Sequence, residues 1–149
     1  MTYGELKSLV RGLLVGDTML PDDDTVVKAL LQDAYDTVAN EADALHLMTL
    51  NKDANILRTS MGSYLMRVPN LPNDDADKLD IDHELCFAVA RYMCVVLSQL
   101  KPMMHLKEAE KRIKWYNAKV AAVLEEMSNK DALSDTIDPD IAEVSTVGL

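Results

Sequence analysis

From Leu85 to Leu97 the chain runs Leu85, Cys86, Phe87, Val89, Met93, Val95, Val96 and Leu97 with a single charge, Arg91. A helix that is apolar nearly all round has no face to give to water and must be enclosed by other elements. This requirement makes His83 to about Leu100 the central core element, and the rest of the chain its cover. Asp82 stands in position to cap it, and Lys101-Pro102 ends it. The run is too short and too interrupted to cross a bilayer, which takes ~20 apolar residues.

The cover is read from helical spacing. Thr2 and Glu5 have capping-box spacing and open a helix with Leu6, Leu9, Val10 and Leu13 on one face. Gly16 and Pro21 close that helix and begin a linker. Asp22, Asp23 and Asp24 supply N-cap oxygens and favourable charge for a second helix, whose stripe is Val27, Leu31, Ala34, Val38, Ala42 and Leu45. A fourth helix, about Leu106 to Met127, carries Leu106, Ala109, Ile113, Tyr116, Val120, Leu124 and Met127 on its core side. With aromatics at 5%, the core rests on Leu, Val, Ala and Met. A chain of 149 residues is long enough to bury such a core without staples.

The period changes after Leu45. His46 to Leu50, Asn55 to Ser60 and Ser63 to Val68 read as short extended runs, with a Met61-Gly62 turn. The expected fold is mainly α: a four-helix domain over residues 1–127 with a β-hairpin or meander arm at about 46–68. So small a sheet leans on helices or on another chain. Residues 128–149 read as a flexible acidic tail.

The formal net charge of -10 argues against a free-standing nucleic-acid binder, which needs a basic footprint. It also argues against docking on an anionic membrane. Solubility is one account of the acidity and a functional role the other. No secretory signal is expected, because Glu5 occupies the place of a positive n-region and Leu13-Leu14-Val15 is too short. Cys86 and Cys94 are eight positions apart on one helix, roughly 12 Å, which excludes a disulfide between them. They read as small buried residues in a reducing compartment.

Chemistry is sparse. His46, His83 and His105 fall on three different elements and read as surface or capping residues; the second histidine of a His-Glu-x-x-His zinc motif would stand at Phe87. Asn73, Asp75, Asp77 and Glu84 imitate a calcium loop. However, Lys78 replaces the glycine such a loop needs at its sharp turn, so a solvated acidic linker is the expectation. Neither a nucleophile elbow nor a Gly-rich phosphate loop occurs. The reading is a non-catalytic protein with no cofactor and no metal.

Two features point to partners. Trp115 lies about 200° from Ile113 on the helical wheel, opposite the core stripe. Ala118 and Ala122 share its side, with Lys111 and Lys119 nearby. Small residues around an outward Trp suit close packing against a second surface; a Trp lying on its own helix or covered by the tail is the plainer account. In the tail, Leu133, Ile137, Ile141 and Val144 recur at helical spacing. Asp138-Pro139 offers an N-cap and a first helical position. Such a short segment reads as a docking helix that takes order from a partner.

The element order, with Tyr64-Leu65-Met66-Arg67-Val68-Pro69, Ile81-Asp82-His83-Glu84-Leu85, Ala88-Val89-Ala90-Arg91-Tyr92 and then Ala109, Tyr116 and Asn117, resembles the head-to-tail adaptor (connector) proteins of tailed bacteriophages. The match is one of pattern over about Tyr3 to Met127. The resemblance implies a homo-oligomeric ring, commonly of about twelve copies, in the virion neck beneath the portal protein. Such a ring extends the DNA channel and offers a platform to a tail or neck protein, and DNA passes through without specific binding. It implies synthesis in the host cytoplasm, no membrane, and a tail that reaches the portal. The alternatives are a small helical regulatory or scaffold protein binding through one helix face, and a helical enzyme subunit contributing structure only.

Overall fold

The structure is a computed structural model that describes residues 1–42, 56–60 and 63–136, with side chains at 1–42, 66–122, 125 and 126. It is mainly helical. Four helices carry it: α1 (Tyr3–Leu13), α2 (Asp24–Glu41), α3 (His83–Leu97) and α4 (Pro102–Thr136). The expected hairpin or meander arm is not supported as an element of the fold. Antiparallel pairing among the described residues joins β1 (Ile56–Ser60) to β2 (Ser63–Met66), with an irregular register between Ile56 and Arg58, and Thr2 to Lys78 as an isolated bridge. Of its described side chains only Met66 enters the core. Two strands alone are marginal in water. The expected run at His46–Leu50 lies outside the described residues.

α3 packs against α1, α2 and α4, as its all-round apolar surface demands. Leu85, Cys86, Ala88, Val89, Ala90, Met93 and Cys94 are buried in it. α1 contributes Tyr3, Leu6 and Val10, and α2 contributes Val27, Leu31, Ala34, Tyr35 and Val38. α4 gives Ala109, Ile113, Tyr116 and Val120. The capping box of α1 is present: the Glu5 amide donates to Thr2 Oγ1 at 3.2 Å and the Thr2 amide to Glu5 Oε2 at 3.2 Å. Asp23 caps α2 through the Thr25 amide at 2.9 Å. Gly16 turns the chain between α1 and α2 at φ +81, a region where a side chain is strained.

Helix ends depart from the sequence reading in three places. α3 stops at Leu97 rather than Leu100. α4 begins at Pro102, four residues before Leu106, because a proline at the first helical position has its missing N–H where no intrahelical partner exists. α4 also continues past Met127 to Thr136, so Leu133 belongs to a helix and not to the tail.

The acidic stretch after Pro72 is exposed, as expected of a solvated linker, but its backbone also bonds to the start of α1. The first amides of α1 have no partners within their helix. The Tyr3 amide donates to the Asp77 carbonyl at 2.9 Å and the Gly4 amide to the Asp75 carbonyl at 3.0 Å. A Cβ at Gly4 would lie 3.3 Å from both the Asp75 carbonyl oxygen and its Cβ, a tight contact that a larger residue could make only if the Asp75 segment gave way slightly. Asp77 Oδ2 accepts from the Asn73 and Asp74 amides at 2.8 and 3.0 Å. Asp75 pairs with Lys7 at 2.6 Å. The carboxylates that imitate calcium ligands are thus engaged with the protein itself.

Candidate functional site

α4 is amphipathic by position. Its inner stripe of Ala109, Ile113, Tyr116 and Val120 faces α3, so Trp115 falls outside and is 56% exposed. Ala118 and Ala122 are exposed on the same side. Lys111 Nζ sits 4.8 Å from the Trp115 ring centroid, and Arg112 lies between two aromatics, 5.9 Å from Trp115 and 5.1 Å from Phe87. These cation–π contacts engage both rings, and more than half of the indole stays exposed. Phe87, Trp115 and Tyr116 with Glu84, Arg112 and Lys119 line a cleft of about 240 Å³ between α3 and α4.

The floor of this cleft is fixed by polar bonds. Tyr116 donates its hydroxyl to the Asp82 carboxylate, and Lys119 pairs with Glu84. Asp82 occupies the N-cap position of α3 but makes no side-chain cap bond there. Its expected capping role yields to the tie with α4, because a buried phenol needs an acceptor. Asn117 donates to the Glu41 carbonyl at 2.9 Å and Tyr92 to Glu41 Oε2 at 3.0 Å, which ties the end of α2 to both α3 and α4.

A second surface was missed in the sequence. Asp17, in the α1–α2 connection, accepts from Ser98 Oγ and from the amides of Gln99 at 2.9 Å and Leu100 at 3.2 Å. These bonds, the Ser98 hydroxyl foremost, hold its carboxyl below the ordinary range. The clamp brings the α1–α2 connection against the α3–α4 turn. Val15, Met19, Leu100 and Met103 are all exposed there. The adjacent Leu100, Met103 and Met104 around Pro102 were the available signal, since a turn rarely carries so many apolar residues unless something covers them.

Beneath that end, His105 is fully buried, which corrects its reading as a surface or capping residue. Arg91 donates to its Nδ1 at 3.0 Å, so Nε2 carries the proton of a neutral ring. Nε2 has no hydrogen-bond partner among the described residues. Burial, then Arg91 and Lys101, depress its basicity. Cys86 and Cys94 are free and buried, and burial pushes both thiols up to about 11, far from the thiolate that reactive cysteines need.

Of the residues expected to meet partners, Trp115, Ala118 and Ala122 come together on one exposed face. Leu133 is on the same helix further along, and Ile137, Ile141 and Val144 lie outside the described residues, as does His46. Among the described residues no group of three or more His, Cys, Asp or Glu side chains is placed to hold a metal. No helix among them is long and apolar enough to cross a membrane. Family models, curated proteins and solved structures alike give no match to this chain.

Proposed function

We propose that this chain is the subunit of a head-to-tail adaptor ring in a tailed bacteriophage, a non-catalytic virion protein seated beneath the portal. The observation that carries the reading is the outward Trp115 on α4, held open by Lys111 and Arg112 and flanked by exposed Ala118 and Ala122. A large rigid aromatic among small residues is the usual anchor of a protein–protein contact. In a ring, each copy presents this face to its neighbour. The net charge of -10 suits a channel past which DNA slides. The β arm belongs to this reading too: a two-stranded pairing gains stability when another chain extends or covers it. The tail after Thr136 is a docking segment.

Electron microscopy of the full chain mixed with a portal protein tests the proposal. The expected image is a ring coaxial with the portal and on its tail side. A protein that stays monomeric and leaves the portal bare would overturn it.

A further inference from the structure

We infer that the α3–α4 cleft of one copy receives the 137–149 segment of a second copy. Charge complementarity comes first. Although the chain is strongly acidic, α4 gathers Lys107, Lys111, Arg112, Lys114 and Lys119 within three to four turns. Among the described residues only Lys119 of these has a carboxylate partner, Glu84. Lys111 and Arg112 spend their charge on aromatic rings, where it stays available to an anion. Residues 137–149 carry Asp138, Asp140 and Glu143 and no cation. Ile137, Ile141 and Val144 recur at helical spacing in their sequence, matching the aromatic part of the cleft, Phe87, Trp115 and Tyr116, with Arg112 and Lys119 beside it. This is the helix-in-groove mode, with a cationic rim selecting an acidic helix.

Distance decides between copies. Trp115 lies about 32 Å along α4 from Thr136 at 1.5 Å per residue. Ile141, five residues beyond Thr136, reaches at most about 18 Å even fully extended. A chain therefore cannot seat Ile141 at its own Trp115, and a neighbour must. The contact is heterologous, with different surfaces from the two copies, and such contacts make rings where the rotation between copies closes. The inference deepens the ring reading above by naming what one neighbour gives the other, and it replaces the portal as the partner first expected for this segment.

Charge exchange in the full chain tests it. One variant carries Lys111→Glu and Lys114→Glu, the other Asp138→Lys, Asp140→Lys and Glu143→Lys. Lys111 and Lys114, beside the cleft on α4, are both exposed, so folding is not at risk from burial. Sedimentation measures self-association, and Trp115, the one Trp of the chain, reports occupancy of the cleft by its emission. Each variant alone should associate about tenfold more weakly or worse. An equimolar mixture should recover association and the blue-shifted emission, because reversed tails then meet reversed clefts. Association unaffected by tail reversal, or a mixture that does not recover, overturns the inference, even if rings still form on the portal. Recovery in the mixture without any portal binding upholds it and removes the adaptor reading instead.

Discussion

Single carboxylates organise this molecule, and each is recognised by its partners rather than by its neighbours in sequence. Asp17 holds the α3–α4 turn through three donors. Asp17→Ala leaves those donors unpaired and should lower Tm and speed proteolysis at residues 98–101, while Asp75→Ala removes an exposed carboxylate from a half-buried Lys7 that keeps Asp24 at 3.9 Å, and should lower Tm much less. Asp80 is gripped by both nitrogens of Arg67 at 2.5 Å and by the Asn70 amide at 2.8 Å. Burial pushes its carboxyl up, but the Arg67 and Asn70 bonds together outweigh this and the net shift is downward. Its stabilisation is therefore present above the ordinary carboxylate range and is lost as pH falls through the lower folded value. His105 acts in a different window. Its folded basicity is depressed, so the unfolded chain binds the proton first as pH falls below about 6.5, and stability declines from there until the folded ring titrates. Near pH 7 to 5, His105→Leu should flatten the fall of Tm measured by circular dichroism, and an unchanged slope would show that another group is responsible.

Elements follow from pattern where burial is one-sided and from contact where it is not. α3 buries most of its circumference, Val89 and Met93 completely, although Val96 is exposed, so a charge at Val89 or Met93 cannot turn to water. Val89→Asp or Met93→Asp should cost several kcal/mol against a total stability of roughly 5–15 kcal/mol. Loss of the helical circular dichroism signal at ordinary temperature is the expected outcome. α4 shows the limit of pattern. Its inner stripe through Val120 is explicit, yet the helix runs on to Thr136 through a sequence poor in apolar spacing, where straight-chain residues such as Glu125, Glu126 and Lys130 favour helix on their own. Its start is also a matter of context, since Pro102 reads equally as a stop for α3 and as the first residue of α4.

Among the described residues the buried surface is centred on α3, and two places present exposed apolar side chains together. One is the α3–α4 cleft with Trp115. The other is the end formed by Val15, Met19, Leu100 and Met103. Trp115→Ala removes no core contact, so the monomer should keep its Tm within about 0.5 kcal/mol of stability. Self-association should weaken in sedimentation, with loss of a contact anchor typically above about 1 kcal/mol. An equal loss of Tm would mean that the indole is holding its own helix instead.

Spacing alone determined that four helices form, which face of α1, α2 and α4 turns inward, and that α3 lies in the middle, because burial acts on every residue of an apolar stripe and needs no named partner. Trp115, Ala118 and Ala122 were legible as one outward face for the same reason. Tertiary structure decided the rest. Asp17 with Ser98, Arg67 with Asp80, Asp82 with Tyr116 and Gly4 against Asp75 join residues distant in the chain, and no local propensity encodes which pairs will meet. The burial of His105 and the exposed Met end are decided there as well, since both depend on which loop the Asp17 clamp brings against the start of α4.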